Sequence, residues 1–123
     1  MRRLRHIVTS ITLIAEYTRG GRERFFQDTM AQDAVLRRLE TLADATHQLS
    51  PELKSRNPRV QWRAIYGFRN IAAHACLDLH LDTVWEIVDV HLPSLGRVVG
   101  VEIARLTGDT EQRPGERTAV APD

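Results

Sequence analysis

Apolar residues recurring at steps of three and four run through most of this chain, and that period limits what it can fold into. Leu4, Ile7, Val8, Ile11, Ile14 and Ala15 put one stripe on a helix over about residues 2 to 18, which Gly20-Gly21 ends. A short helical piece is expected around Phe25 and Phe26. A second long helix follows over about residues 28 to 49, with Ala31, Val35, Leu39, Leu42, Ala43 and Leu49 as its stripe. Ser50-Pro51 has the chemistry of a cap and first turn, while Asn57-Pro58 is a breaker because proline disfavours helical geometry in the residue before it. Ile65, Phe68, Ala72 and Ala75 mark a third long helix from Val60 to about Cys76. Gly67 lies inside it at a cost of about 1 kcal/mol against alanine, a position expected to allow a close helix contact. The last run begins near Asp82 and carries Val84, Trp85, Val88, Leu92, Leu95, Val99, Ile103 and Leu106, with Pro93 expected to kink or restart it. No segment alternates as a strand does. The pattern predicts an all-α fold, an antiparallel bundle of four long helices plus short helical pieces, over residues 1–106. Residues 107–123, with two prolines and few bulky apolar side chains, are expected to form a disordered C-terminal tail.

A chain of 123 residues is enough for one core and too short for two. Its 17 basic residues nearly balance 16 acidic ones, so any nucleic-acid site must be local rather than a property of the whole surface. Lys54 is the only lysine. Cys76 is the only cysteine, which excludes an internal disulfide and a cysteine zinc site, and fits a reducing cytoplasm. The start Met1-Arg2-Arg3-Leu4-Arg5 followed by Ile7 to Ala15 has the outline of a short signal peptide, but the helical pattern continues through Glu16-Tyr17-Thr18-Arg19 with no cleavage region. No apolar run approaches the roughly 20 residues that span a bilayer. A cytoplasmic protein without a membrane segment is the expectation.

The chemistry concentrates in Gly67-Phe68-Arg69-Asn70-Ile71-Ala72-Ala73-His74, which sets a permanent cation, an amide and an imidazole within two turns of one helix. Asn70 and His74, four apart, lie nearly above one another, whereas Arg69 is about 140° around the helix from His74 and must reach. These residue types suit cleavage of RNA by its own 2′-hydroxyl. An imidazole titrating near neutrality moves a proton, an arginine stabilises charge on the phosphoryl oxygens, and no metal is needed. DNA lacks the attacking hydroxyl. By spacing alone the set is unspecific, because a helical arginine is more often a solvated charge and a helical histidine a bonded structural group.

Three longer stretches add specificity. Thr29 to Glu40 (TMAQDAVLRRLE), Val60 to His74 (VQWRAIYGFRNIAAH) and Leu81 to Leu95 (LDTVWEIVDVHLPSL), in this order and spacing, resemble the HepT-like family of helical HEPN proteins across about residues 2 to 106. The resemblance implies a metal-independent RNA endonuclease that acts as a toxin. It further implies a homodimer with the active site at the interface and a minimal nucleotidyltransferase antitoxin as partner. It makes Arg69 the motif arginine, Asn70 its polar neighbour and His74 the motif histidine, with no cofactor and no metal. Family antitoxins in some cases add AMP to a tyrosine two residues after that histidine. Here Cys76 stands there, and Asp78 and His80 replace the glycine and aspartate usual in the following loop. Those departures leave control by binding, by a different tyrosine or absent, and they keep open a second reading, a catalytically silent dimer that binds a nucleotidyltransferase or RNA, while retention of Arg69, Asn70 and His74 favours the first.

Other residues read more simply. Tyr66, a turn before Asn70, fits a partly buried core tyrosine better than a base-stacking surface or a substitute acceptor. Trp62 and Trp85 fit packing. His74, His80, Asp78 and Asp82 lack the histidine pair at i, i+4 that a helical metal site needs, and Cys76 points away from His74. Glu40 and Asp44 fit a solvated face, although an acid there is also placed to orient Arg69 or His74 across the bundle.

Overall fold

The computed structural model describes residues 1–78 and 80–112, and the side chains of all of these except 74–78 and 109–112. Among the described residues every regular element is helical: α1 (Arg2–Tyr17), α2 (Arg22–Gln27), α3 (Thr29–His47), α4 (Pro51–Arg56), α5 (Trp62–Tyr66), α6 (Phe68–Asp78), α7 (Leu81–Glu86), a π-helical turn (Ile87–His91) and α8 (Leu92–Gln112). The expected all-α class is the observed one. Among these residues no helix is long and apolar enough to cross a membrane. Helix α8 continues past residue 106 to Gln112, and the rest of the expected tail lies outside the described residues.

Local chemistry sets the ends. Gly21 sits at φ +94°, the left-handed region open to glycine, where the chain turns from α1 into α2. Asp28 accepts the Ala31 N–H at 3.0 Å and so caps α3; Ser50 accepts from Leu53 at 3.1 Å and caps α4, with Pro51 in its first turn. The core gathers the predicted stripes: Ile7 and Ile14 of α1, Val35, Leu39 and Leu42 of α3, and Val84, Leu92, Leu95 and Val99 of the last rod are all buried. Helix α3 is central, packing against α1, α2, α5 and α6. Trp85 packs on Phe25 with ring centres 5.7 Å apart, and Trp62 donates its Nε1–H to the Asn57 carbonyl at 3.1 Å, so both tryptophans are structural.

Two expectations change. The third long helix is two, because the backbone tightens at Gly67. Both Asn70 and Ile71 donate N–H to its carbonyl, and a Cβ on Gly67 would stand 3.1 Å from the Ala64 carbonyl oxygen. The glycine thus answers a local backbone contact, not the approach of another helix. Pro93, expected to kink or restart the last run, is the second residue of α8, which begins directly after the π turn. The π turn just before it, closed by the Leu92 N–H on the Ile87 carbonyl, widens the helix where the proline ring would meet the Asp89 carbonyl of an α turn.

The connector between α3 and α5 is tied down by Glu102 of α8, which is buried. Arg56 Nη2 lies 2.8 Å from Oε1 and Asn57 Nδ2 2.9 Å from Oε2. The hydrogen bond from Arg56 holds this carboxyl below the ordinary glutamate value of 4.5, against the opposing effect of burial and with help from Asn57. A carboxylate with a lowered folded pKa stabilises fully above its unfolded pKa, and that stabilisation is lost as pH falls from there through the folded value. Thermal melts from pH 7 to pH 3 are therefore expected to fall more steeply for the wild type than for Glu102→Gln once the pH drops below about 4.5. Parallel curves would mean the pair adds no pH-dependent stability.

Candidate functional site

Helices α3 and α5–α6 run antiparallel, with buried Leu39, Leu42 and Ala43 on one side of the seam and Ile65, Phe68 and Ala72 on the other. Ala43 and Ala72 are the small buried residues of this seam. The outer edge of this seam carries polar groups in matched steps. Asp44 Oδ1 lies 3.1 Å from Arg69 Nε, and one turn further along α3 the imidazole of His47 stacks on the Tyr66 ring, with centres 4.0 Å apart and planes 20° from parallel. A step of three forward on α3 meets a step of three backward on its neighbour.

Arg69 is thus positioned by α3 while about half of its side chain, 52%, stays in solvent. Asp44 meets the Nε side of a guanidinium that carries five N–H donors in a fork suited to phosphate. Asn70, next along α6, faces the other way and lines a shallow hollow with Ile71, His80 and Thr83. The backbone of His74 is helical and falls one turn beyond Asn70. The side chains of His74, Cys76 and Asp78 lie outside the described residues. A separate groove of about 530 Å³, between α5–α6 and α8, includes neither Arg69 nor Asn70. Arg69 stands on an open ledge at the margin of the seam, and Asn70 borders the shallow hollow on another side of α6.

The sequence puts Arg69, Asn70 and His74 on one helix, and the backbones of all three lie on α6, with the Arg69 side chain against α3 and Asn70 toward α7. Sequence reasoning gave Asp44 its lesser role, a solvated acid, whereas this carboxylate is the arginine's partner. It passed over His47, although the spacing from Asp44 puts both on one face of α3. Tyr66 is 37% exposed and belongs to the ledge rather than to the core.

Comparison with known proteins bears on the family of the chain. The family model described as "Ribonuclease HepT-like" matches residues 7–101. The "Gamma-glutamylcyclotransferase and putative RNase MJ0434" of Methanocaldococcus jannaschii is 34% identical over 93 residues, 75% of this chain, which spans only 42% of that relative's length. The "Probable ribonuclease HepT" of Thermococcus cleftensis is 32% identical over 93 residues, covering 75% of this chain and 84% of the relative. No solved structure matches the chain.

Both partners of the Asp44–Arg69 pair are about half exposed, and pairs of this kind are worth roughly 0–1 kcal/mol. Asp44→Asn is expected to shift the free energy of unfolding by less than about 1 kcal/mol in urea titrations. A loss of several kcal/mol would show that the ion pair holds the seam together, not merely the arginine in place.

Proposed function

Because this chain belongs to the HepT-like ribonuclease family, we propose that it is a metal-independent RNA endonuclease serving as the toxin of a toxin–antitoxin pair, with Arg69, Asn70 and His74 as its catalytic residues. The observation that carries the reading is the guanidinium of Arg69, held through Nε by Asp44 on an open ledge of the helix that also carries Asn70 and His74.

In this reaction the 2′-oxygen of RNA attacks the adjacent phosphorus as His74 takes its proton. Negative charge on the non-bridging oxygens rests against Arg69. The bond to the 5′-oxygen breaks, that oxygen gains a proton from an acid, and the products end in a cyclic phosphate and a 5′-hydroxyl. Asn70, one turn before His74, orients the imidazole. Base and acid are both required and one motif holds one histidine, so a homodimer with two motifs meeting in a cleft supplies the pair. Val90, Val101 and Leu106, exposed on the last rod, support self-association. A minimal nucleotidyltransferase is the partner that restrains the toxin. With Cys76 where the family resemblance implies an acceptor tyrosine, that restraint works through binding, through a different tyrosine, or is absent. The same departure, with Asp78 and His80, keeps open the second reading, a silent dimer that binds its partner or RNA without cutting it.

The test is cleavage of labelled single-stranded RNA and of its DNA counterpart, with EDTA present. The wild type is expected to cut only RNA. His74→Ala and Arg69→Ala are expected to lower turnover by roughly 10²-fold or more while helix content is kept. Cleavage surviving in His74→Ala would remove the histidine from the mechanism, and no cleavage by clean dimeric wild type would favour the silent dimer. Co-expression with a nucleotidyltransferase from the same genome is expected to give a stable complex; growth unaffected by the chain alone would count against the toxin role.

A further inference from the structure

We propose that His47 and Tyr66 form a stacking shelf for one nucleobase of single-stranded RNA, next to the phosphate held by Arg69. This rests on the ribonuclease reading above for the identity of the polymer, and on the ledge itself for the place of the base.

The two rings are stacked at 4.0 Å between centres, and both residues are exposed. An imidazole on a phenol ring at the surface has no core to fill, yet each ring holds the other in one orientation. A flat aromatic face ordered in advance loses little entropy when a base settles on it. The order of groups along the seam matches the order of groups along a nucleotide chain. Arg69 lies on the rung beside Tyr66, one helical turn away, about 5–6 Å between neighbouring side-chain origins. Lys54 Nζ donates to the His47 backbone carbonyl at 2.9 Å, so a second cation is tied to this end of α3. Cation and aromatic pair on neighbouring rungs correspond to a phosphate and an adjacent base of one strand. Stacking accepts any base, because every base has a π face, so the shelf selects unpaired strands over sequence. Base-paired RNA keeps its bases stacked inside the helix and cannot use it.

The probe is single-stranded RNA carrying 2-aminopurine, whose fluorescence falls on stacking, with its 2′-hydroxyls methylated so that binding is read without cleavage. The wild type is expected to quench it. Tyr66→Ala and His47→Ala are expected to weaken that binding roughly ten- to a hundredfold. Tyr66→Phe, which keeps the ring, is expected to recover most of what Tyr66→Ala loses. On cleavable RNA the loss falls on KM more than on kcat, and an abasic site at the quenched position makes wild type and Tyr66→Ala bind alike. Circular dichroism checks that each variant is folded, and His47→Ala, at a fully surface position, serves if Tyr66→Ala is not.

Wild type that cleaves RNA while quenching and KM are the same in Tyr66→Ala and His47→Ala overturns the shelf and leaves the nuclease standing. Quenching lost in the variants, with no cleavage by wild type, overturns the nuclease and leaves the shelf. Wild type that neither quenches nor cleaves overturns both.

Discussion

Burial of one stripe of α3 governs the rest of this molecule. Val35, Leu39, Leu42 and Ala43 are completely enclosed, and α3 touches α1, α2, α5 and α6. Full burial of a valine or leucine side chain is worth about 1.5–3 kcal/mol, whereas a half-exposed ion pair is worth at most about 1. Packing therefore sets where α3 lies against α6, and Asp44 and Arg69 meet because Leu42 and Ala43 have already fixed the rotation of the helix. The ledge that carries Arg69 is the polar margin of a hydrophobic seam.

That dependence explains what could be read in the sequence. The stripes of the first two long helices, the cap at Ser50 and the stop at Gly20-Gly21 follow from local chemistry, and each appears where the residues put it. The site was legible as far as a single helix allows, since Arg69 and Asn70 take their faces from helical geometry alone. Their partners were not. Whether Asp44 is a solvated acid or an arginine's anchor depends on the register between two helices, and neither helix specifies that register in its own period. The same holds for His47, which gains meaning only when Tyr66 is known to lie opposite.

Gly67 shows the converse. The residue was visible as a costly interruption of a helix, but its role lies in the backbone, where a tightened turn separates α5 from α6. The break falls between Tyr66 and Arg69, so the aromatic ring and the cation are carried by two short helices rather than one. Both are nevertheless pinned to consecutive turns of α3, which runs unbroken beneath them. An uninterrupted helix on one side of the seam serves as the ruler for the divided one on the other.

The π turn before Pro93 has a consequence for how chains of this kind can change in length. Buried positions along the last rod advance by three from Leu81 to Val84 and Ile87, by five to Leu92, then by three and four to Leu95 and Val99. The sequence reading took Val88 into the stripe to keep ordinary spacing, whereas Ile87 is the enclosed residue. The long step is one surplus residue absorbed inside a helix, and it sets the phase between the half of the rod that meets α6 and the half that meets α1. Losing that residue would return the proline ring to an α turn, against a carbonyl, and would turn the far half of the rod by about 100°, with Leu95 and Val99 swung off the core. An indel that a surface loop would absorb unnoticed would here act as a frameshift in three dimensions.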